Sequence, residues 1–297
     1  MKTALVTGSA GFVGRHMAAE LTARGWAVDG VDLNGHTRQD ALDLFRTDIT
    51  RYDLVVHCAA RTPHRAAIDR QPATMAYNLH LDAAMFDWVL RTGQKRVLYL
   101  SSSAVYPVGF QDGSEPWKLH ETNTDSAHGI MPDAGYGWTK LTGEKMAAAA
   151  TEDGVGLAVH VVRPFSGYGE DQGEDWPFGA FVGRARRRED PFQIWGDGQQ
   201  VRDWIHISDV VAGALAVVDQ DVREPVNLCT GRGVAMTQLA ELVVTTVGYQ
   251  PWVEYLPHAP RGVAYRVGDT ARFFDVYQPK VTLEEGVARA VRPGVGV

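Results

Sequence analysis

A tyrosine and a lysine stand four residues apart in the segment Tyr136-Gly137-Trp138-Thr139-Lys140. On a helix that spacing puts both side chains on one face. A lysine ammonium beside a phenol favours the phenolate and lowers the phenol pKa from its ordinary value of about 10. Tyr136 can then act as a general base near neutral pH. A second source of hydroxyl chemistry is Ser101-Ser102-Ser103, which ends the apolar run Val97-Leu98-Tyr99-Leu100. A hydroxyl at the end of a strand can bond the substrate oxygen whose proton Tyr136 removes. Ser102 is read in that role, and Ser101 as a cap of the loop. Tyrosine and lysine four apart also occur by chance on exposed helices, so the weight of the pair depends on what positions it.

The strongest positioning signal is at the start of the chain. Lys2-Thr3-Ala4-Leu5-Val6-Thr7 runs into Gly8-Ser9-Ala10-Gly11-Phe12-Val13-Gly14, and a helical pattern follows through about Arg24. This predicts a strand, a tight loop and a helix N-terminus, where free backbone N–H groups and the helix dipole favour a pyrophosphate. Gly8 permits the turn, Gly11 lets a ligand approach the backbone, and Gly14 lets the helix pack close to the strand. A second apolar strand, Ala27 to Val31, ends in Asp32. A carboxylate there accepts hydrogen bonds from both hydroxyls of an adenosine ribose and repels a 2′-phosphate. The expected cofactor is therefore NAD rather than NADP, with Arg38 pulling slightly the other way.

Alternation continues through the first half. Leu54 to Ala60 reads as a buried strand, about Ala73 to Arg91 as a helix, Val97 to Ser101 as a strand, about Tyr136 to Thr151 as a helix, and Leu157 to Val162 as a strand. A long polar segment with Pro107, Gly109, Gly113 and Pro116 lies between. The pattern predicts an α/β fold, a Rossmann-like doubly wound parallel sheet with helices on both faces and ligands at the carboxyl ends of the strands. Beyond Pro164, Gly, Pro, Trp and Asp become dense. Residues 1–164 are read as an NAD-binding domain, with a helix near 208–219 returning to it. Residues 165–297 are read as mainly a smaller, interleaved substrate-binding domain, with further helices at Thr237–Val247 and Leu283–Val291.

The 297 residues are 45% apolar and 22% charged, ordinary values for a globular enzyme. A net charge of −7 leaves no basic footprint for nucleic acid. The run Arg184, Arg186, Arg187 and Arg188 reads as a solvated helix face rather than a phosphate site. Cys58 and Cys229 read as buried free thiols. No apolar run reaches membrane-spanning length, and no signal peptide is read ahead of the first strand, so a cytoplasmic protein is expected. The ten histidines show no H-E-x-x-H and no paired ligand spacing, so no metal is expected. His57, in an apolar strand, reads as a core histidine. No G-x-S-x-G elbow gives Ser102 a hydrolase context. Trp176, Phe178, Phe181, Phe192, Trp195 and Trp204 read as core or cleft wall.

Together these elements resemble the extended short-chain dehydrogenase/reductase superfamily, and within it the nucleotide-sugar epimerases and dehydratases. The resemblance covers nearly the whole chain. Leu100-Ser101-Ser102-Ser103-Ala104-Val105-Tyr106 is similar to the family's S-x-x-V-Y strand end. Val162 to Gly169 is similar to its R-P-F-N-x-Y-G segment. Gly196-Asp197-Gly198 followed by Val201-Arg202-Asp203-Trp204-Ile205-His206 is similar to its G-D-G…R-D-[FYW]-[IV]-H segment. Asn227-Leu228 with Gly231, and Leu283-Glu284-Glu285-Gly286, fit later features.

The resemblance implies site roles. Gly8, Gly11 and Gly14 would cradle the pyrophosphate of NAD, with Phe12 and Val13 opening the helix and Asp32 holding the ribose. Asp48 and Ile49 would flank adenine, and Ala59 and Ala60 would line the cofactor path. Ser102, Tyr136 and Lys140 would be catalytic, the last two also contacting cofactor. Pro164 and Phe165 would sit near the nicotinamide. Arg202 would contact the substrate diphosphate, where a guanidinium fork suits phosphate oxygens; the bland alternative pairs it with Asp203 at the surface. Ser103, Ser166 and Arg261 would complete the substrate site. Ser166 replaces the family's usual asparagine, and Arg261-Gly262-Val263 shortens its R-P-G-D segment. The 4,6-dehydratases carry an acidic pair where Ser103 and Ala104 stand, and the GDP-mannose 3,5-epimerases a cysteine at the position of Ala104.

The implied activity is an NAD-dependent nucleotide-sugar epimerase acting at C4 through a transient 4-keto sugar. The partner is a nucleotide-diphosphate sugar, and a homodimer is expected. The runner-up is a nucleotide-linked ketosugar reductase or dehydrogenase, followed by a 4,6-dehydratase, a 3,5-epimerase or a non-catalytic NAD-binding regulator.

Overall fold

A computed structural model describes residues 1–35, 38–62, 72–125, 131–152 and 156–292. Strand and helix alternate from the start: β1 (Thr3–Thr7), α1 (Phe12–Ala23), β2 (Ala27–Val31), α2 (Ala41–Thr47), β3 (Leu54–His57), α3 (Pro72–Thr92) and β4 (Arg96–Leu100). After β5 (Lys118–Leu119) come α4 (Ala134–Glu152), β6 (Ala158–Pro164) and β7 (Ser166–Tyr168). The remainder comprises α5 (Pro177–Arg186), β8 (Phe192–Trp195), β9 (Val201–His206), α6 (Ile207–Asp219), β10 (Val226–Leu228), β11 (Gly233–Ala235), α7 (Met236–Val247), β12 (Val253–Leu256), β13 (Tyr265–Gly268), α8 (Ala271–Val276) and α9 (Leu283–Ala290).

Six strands form a parallel sheet in the order β10-β6-β4-β3-β1-β2. The doubly wound Rossmann-like architecture is therefore present. Its strands read as continuous apolar runs because both faces are covered. Alternate residues serve opposite layers. Ala4 and Val6 of β1, Leu54 and Val56 of β3 and Leu98 of β4 share one cluster with Met17 of α1 and Val210 and Ala214 of α6. Leu5, Val55, Val97 and Tyr99 join a second cluster with Leu44 of α2, Met85 and Trp88 of α3 and Ala147 of α4. Helix α6 thus packs on the first sheet, and strand β10 extends that sheet at its edge.

Pattern and structure part company in three places. The strand expected over Leu54–Ala60 ends at His57, and Cys58, Ala59 and Ala60 leave the sheet at its carboxyl edge. The long polar segment holds 3-10 turns at Ser103–Val105, Val108–Gln111 and Glu121–Thr124, and β5 within it pairs with β13; its residues 126–130 lie outside the described residues. The third difference is β7 to β13, which were not legible as strands. They are three to six residues long and mostly pair across distant sequence, in a mixed sheet β11-β9-β13-β5 with β7 beside β9, and in the pair β12-β8. Phe178, Phe181, Phe192 and Trp204 form the core of this region with Leu239 and Val287. Cys58 and Cys229 are free thiols, and His57 is fully buried.

Candidate active site

The order of strands reverses at β1, because the chain passes to β2 on one side and then to β3 on the other. Crevices form outside the carboxyl ends of strands at such a point. A cleft of about 860 Å³ opens there. Its volume lies toward the upper end of the range usual for ligand sites.

One wall is backbone. Gly8 has φ +69°, and a Cβ on it would lie 2.8 Å from the Ala59 backbone. A Cβ on Gly14 would lie 1.9 Å from the Gly8 carbonyl oxygen, so only glycine lets α1 start this close to β1. Gly11 is the N-cap of α1 and supplies no side-chain cap, which leaves the first amides of the helix aimed at the cleft. Asp32 lines the same wall. Its carboxylate accepts from Ala10 N at 3.0 Å and Asn34 N at 2.7 Å. Phe12, Val13, Ala59, Ala60, Pro164 and Phe165 also line it. This glycine cradle with an acid at the end of β2 fits a dinucleotide. Arg38 is not among the lining residues, although its backbone is left-handed with φ +44°.

Asp48 and Ile49, expected beside adenine, are not brought to the cleft wall. The Asp48 carboxylate turns back onto Thr50, accepting from N at 2.8 Å and Oγ1 at 2.6 Å, and Ile49 is 78% exposed. The Asp48 carbonyl accepts from Trp88 Nε1 of α3 at 2.9 Å.

In the middle of the cleft, Ser102, Ser103, Tyr136 and Lys140 converge from the end of β4 and the first turns of α4. Ser102 caps the turn that follows, accepting from Ala104 N at 3.1 Å. Ser101 turns away and bonds Glu144, as a structural reading requires. Glu144 in turn forms a buried pair with Arg163 at 2.6 Å, tying α4 to β6. The expectation of a lowered Tyr136 pKa needs correction for the protein without cofactor. Burial pushes the phenol up; Lys140 and Ser102 pull it down, Asp82 adds to the rise, and the net direction is upward. Cys58 also lines the cleft, its thiol pushed up to about 12 by burial although Lys140 pulls the other way.

The far wall carries guanidinium groups on elements distant in sequence. Arg202 of β9 donates to its own strand at Val201 O, 2.8 Å, and toward Arg261 O at 3.4 Å. It is not paired with Asp203. The Asp203 carboxylate is fully buried and accepts from Thr230 N at 2.8 Å and Gly231 N at 2.8 Å, bracing the turn before β11, and burial raises its pKa. Arg261 pairs with Asp197 at 3.1 Å, and its stem crosses Gly196, where a Cβ would lie 2.4 Å away. Ser166 lines the cleft between the two walls.

Two features escaped the reading of sequence. Arg184, assigned above to a solvated face, lines the cleft, and donates to Gln193 O at 2.5 Å. The signal was available, since Pro177, Ala180, Phe181 and Arg184 share one helical face and all line the cleft. Arg187 and Arg188 behave as expected: both are exposed, and Arg187 pairs with Glu174 and Glu189. Arg266 of β13 donates to Asp133 Oδ2 at 2.8 Å and Gln111 Oε1 at 2.6 Å, next to the catalytic turn, because Asp133 N donates to Ala104 O. No local pattern marks that triad. Trp176 and Trp195 face the cleft, while Trp204 lines it from the core.

The comparisons with known proteins agree with this geometry. The model of the family described as "NAD dependent epimerase/dehydratase family" matches residues 4–229. GDP-mannose 3,5-epimerase 1 of Oryza sativa subsp. indica is 28% identical over 307 residues, covering 95% of this chain and 79% of that protein. UDP-glucuronate 4-epimerase of Thermodesulfobacterium geofontis is 26% identical, covering 97% and 94%. The solved structure of MoeE5 in complex with UDP-glucose and NAD aligns with a TM-score of 0.82 at 26% identity, covering 98% and 97%. Other relatives include proteins named as a reductase and decarboxylases of nucleotide-linked sugars.

Proposed function

The chain belongs to the NAD dependent epimerase/dehydratase family and is an NAD-dependent enzyme of the extended short-chain dehydrogenase/reductase type, and from that premise we propose that it is a nucleotide-sugar 4-epimerase. The observation that carries the reading is the convergence of Ser102, Tyr136 and Lys140 in the cleft, with Ala104 rather than an acid or a thiol following Ser103. The set serves proton transfer at one hydroxyl and lacks the group that would eliminate water or invert a neighbouring carbon. In this reading Gly8, Gly11, Gly14 and Asp32 hold NAD, which when bound supplies hydride exchange with the sugar carbon. Tyr136 takes the proton of the C4 hydroxyl and returns it after the 4-keto sugar has turned over in the site. Ser102 steadies the oxygen, and Lys140 orients the phenol. Arg202, Arg261 and Ser166 face the diphosphate, with Ser103 at the sugar.

Residues 1–164 with α6 are proposed as the cofactor-binding part and 165–297 as mainly the substrate-binding part. The Arg202 and Arg261 positions support a nucleotide-diphosphate sugar, and UDP-glucose bound to MoeE5 is a chemical precedent. A homodimer through α3 and α4 is part of the proposal. These helices pack together and expose Leu90 and Trp138, and light scattering reads the state directly. The reductase reading is kept because a dTDP-4-dehydro-6-deoxy-D-allose reductase of Streptomyces bikiniensis is 27% identical across 98% of this chain.

The test is turnover of a panel of sugar nucleotides, UDP-glucose, UDP-glucuronate, GDP-mannose and dTDP-glucose, with NAD at catalytic concentration. The expected product has unchanged mass and an inverted C4 hydroxyl, with no steady change at the NADH absorbance band. Stoichiometric NADH consumption or formation establishes the reductase or dehydrogenase instead, and loss of water establishes a dehydratase. Solvent deuterium at C3 or C5 establishes a 3,5-epimerase. NAD binding without turnover of any sugar nucleotide favours the regulator.

A further inference from the structure

Beneath the catalytic pair lies a buried polar cluster that the reaction scheme above does not use. Asp82 of α3 is 1% exposed. Its Oδ1 meets His57 Nε2 at 3.1 Å, and its Oδ2 accepts from the Tyr99 hydroxyl at 2.5 Å. The other ring nitrogen of His57 meets Thr7 Oγ1 at 2.9 Å, so the cluster is anchored on β1, β3 and β4. A buried carboxylate is costly unless paired and hydrogen-bonded, and two hydrogen-bonding partners leave its charge to be balanced.

The balancing charge is on α4. Lys140, 2% exposed, places its ammonium 4.8 Å from the centre of the Tyr99 ring, on the phenol that bonds Asp82. Tyr136, Lys140 and Gly143 stand at i, i+4 and i+7, one face of the helix. At Gly143 a Cβ would lie 1.9 Å from Tyr99 Oη and 2.9 Å from Asp82 Oδ2. Asp82 therefore sits against the face of α4 that carries Tyr136 and Lys140, and a glycine makes that approach possible.

We propose that Asp82 is a positioning residue: pinned by His57 and Tyr99, its carboxylate is the buried counter-charge to Lys140 and sets how readily Tyr136 gives up its proton. The inference rests on the reading of Tyr136 and Lys140 as the proton-transfer pair. The titratable groups around the cluster are His57 on β3, Cys58 just after it, Tyr99 on β4, and Tyr136, Lys140 and Glu144 on α4, Glu144 being held by Arg163 of β6. Directions agree with the geometry. Burial pushes Asp82 up, but the Lys140 charge and the His57 and Tyr99 hydrogen bonds outweigh it and hold the carboxyl below its ordinary range. Asp82 in turn acts on Tyr136 against Lys140. The carboxylate thus restrains the base that the lysine promotes.

The experiment is a spectrophotometric titration of the tyrosinate band in the full chain with NAD bound and no sugar nucleotide. Subtracting Tyr136→Phe isolates Tyr136, and the same subtraction is made in an Asp82→Asn background. The expected result is a Tyr136 titration displaced to lower pH in Asp82→Asn, with roughly tenfold more tyrosinate at a given pH on the rising limb. Tyr99→Phe keeps the carboxylate charge while deleting one hydrogen bond, and should lower thermal stability yet leave the Tyr136 titration near wild type. An unmoved or upward-displaced titration in Asp82→Asn, or equal displacement in both variants, overturns the proposal. Asp82→Ser reads the same quantity if Asp82→Asn does not fold. Because no substrate is used, the result is independent of whether any sugar nucleotide proves to be turned over, and the turnover panel above judges that separately.

Discussion

The two walls of the cleft are built on different principles. The nucleotide wall is backbone: a glycine turn, the first amides of α1 and a carboxylate at the end of the neighbouring strand, all within Gly8 to Asp32. The far wall is side chain: Arg184, Arg202, Arg261 and Arg266 come from α5, β9, the loop after β12 and β13. Backbone donors need no rotamer to be fixed and tolerate no added atom. Guanidinium groups must be held by neighbours, as Arg266 is by Gln111 and Asp133, and each can be removed singly at modest cost. The glycine wall is therefore expected to fail all at once, the far wall by increments, and Ser102, Tyr136 and Lys140, proposed as catalytic, to fail in rate without failing in binding.

The largest effect is expected in the middle. Tyr136→Phe should lower turnover by roughly 10²–10⁴-fold while thermal unfolding and NAD titration stay near wild type. In wild type the acid limb of kcat/KM should rise with pH through neutrality, since burial holds the Tyr136 phenol above its ordinary range and only the ionised form accepts a proton. Near-normal turnover in the variant would remove Tyr136 from the mechanism.

Next is Gly14→Ala. The added Cβ would lie 1.9 Å from the Gly8 carbonyl oxygen, and overpacking of that kind costs about 1–3 kcal/mol. NAD affinity should drop tenfold or more, together with the melting temperature. Retained NAD affinity would show that the wall is more pliant than its backbone construction implies. Wild-type protein titrated with NAD⁺ and NADP⁺ should bind NAD⁺ about tenfold more tightly or better, a difference of ~1.4 kcal/mol, because in the proposed binding mode the Asp32 carboxylate would repel a 2′-phosphate. Equal affinities would transfer the decision to Arg38.

On the far wall, Arg202→Ala should weaken sugar-nucleotide binding about tenfold and leave NAD binding unchanged, since a hydrogen bond from a charged group is worth roughly 1.5–3 kcal/mol. Calorimetry with UDP-glucose and GDP-mannose measures it, and unaltered affinity for every ligand that wild type binds would exclude the phosphate role. The smallest effect is expected from Arg184→Ala, a few-fold loss in the same titration, because its guanidinium is also engaged by Gln193 O. A loss larger than that of Arg202→Ala would make α5 rather than β9 the principal anion site.

The same contrast explains what could be read without coordinates. Gly8 to Asp32 was legible because a strand, a turn and a helix start are set by neighbours in sequence. Tyr136 and Lys140 were legible because four residues on a helix fix their geometry. Asp48 and Ile49 do not line the cleft, because the Asp48 carboxylate is taken up by Thr50 and Ile49 points to solvent, which no local pattern announces. Arg184 misled because a run of arginines says nothing about which one the helix turns inward.

By itself the sequence determined the parallel sheet, the glycine cradle with Asp32, and the identity of the serine, tyrosine and lysine at the centre of the cleft, all of which rest on local spacing and on apolar runs that a doubly covered sheet demands. Only the tertiary structure decided that Asp203 is buried against Thr230 and Gly231, that Gly196 makes room for the Arg261 stem, that Asp133 and Gln111 hold Arg266 beside the turn after Ser102, and that Asp82 lies under Lys140. The Gly196–Arg261 and Arg266 contacts join residues 65 or more positions apart, and Asp82 meets Lys140, 58 positions on, across Tyr99. Their energy comes from burial and from partners supplied by other elements, so no window along the chain could contain it.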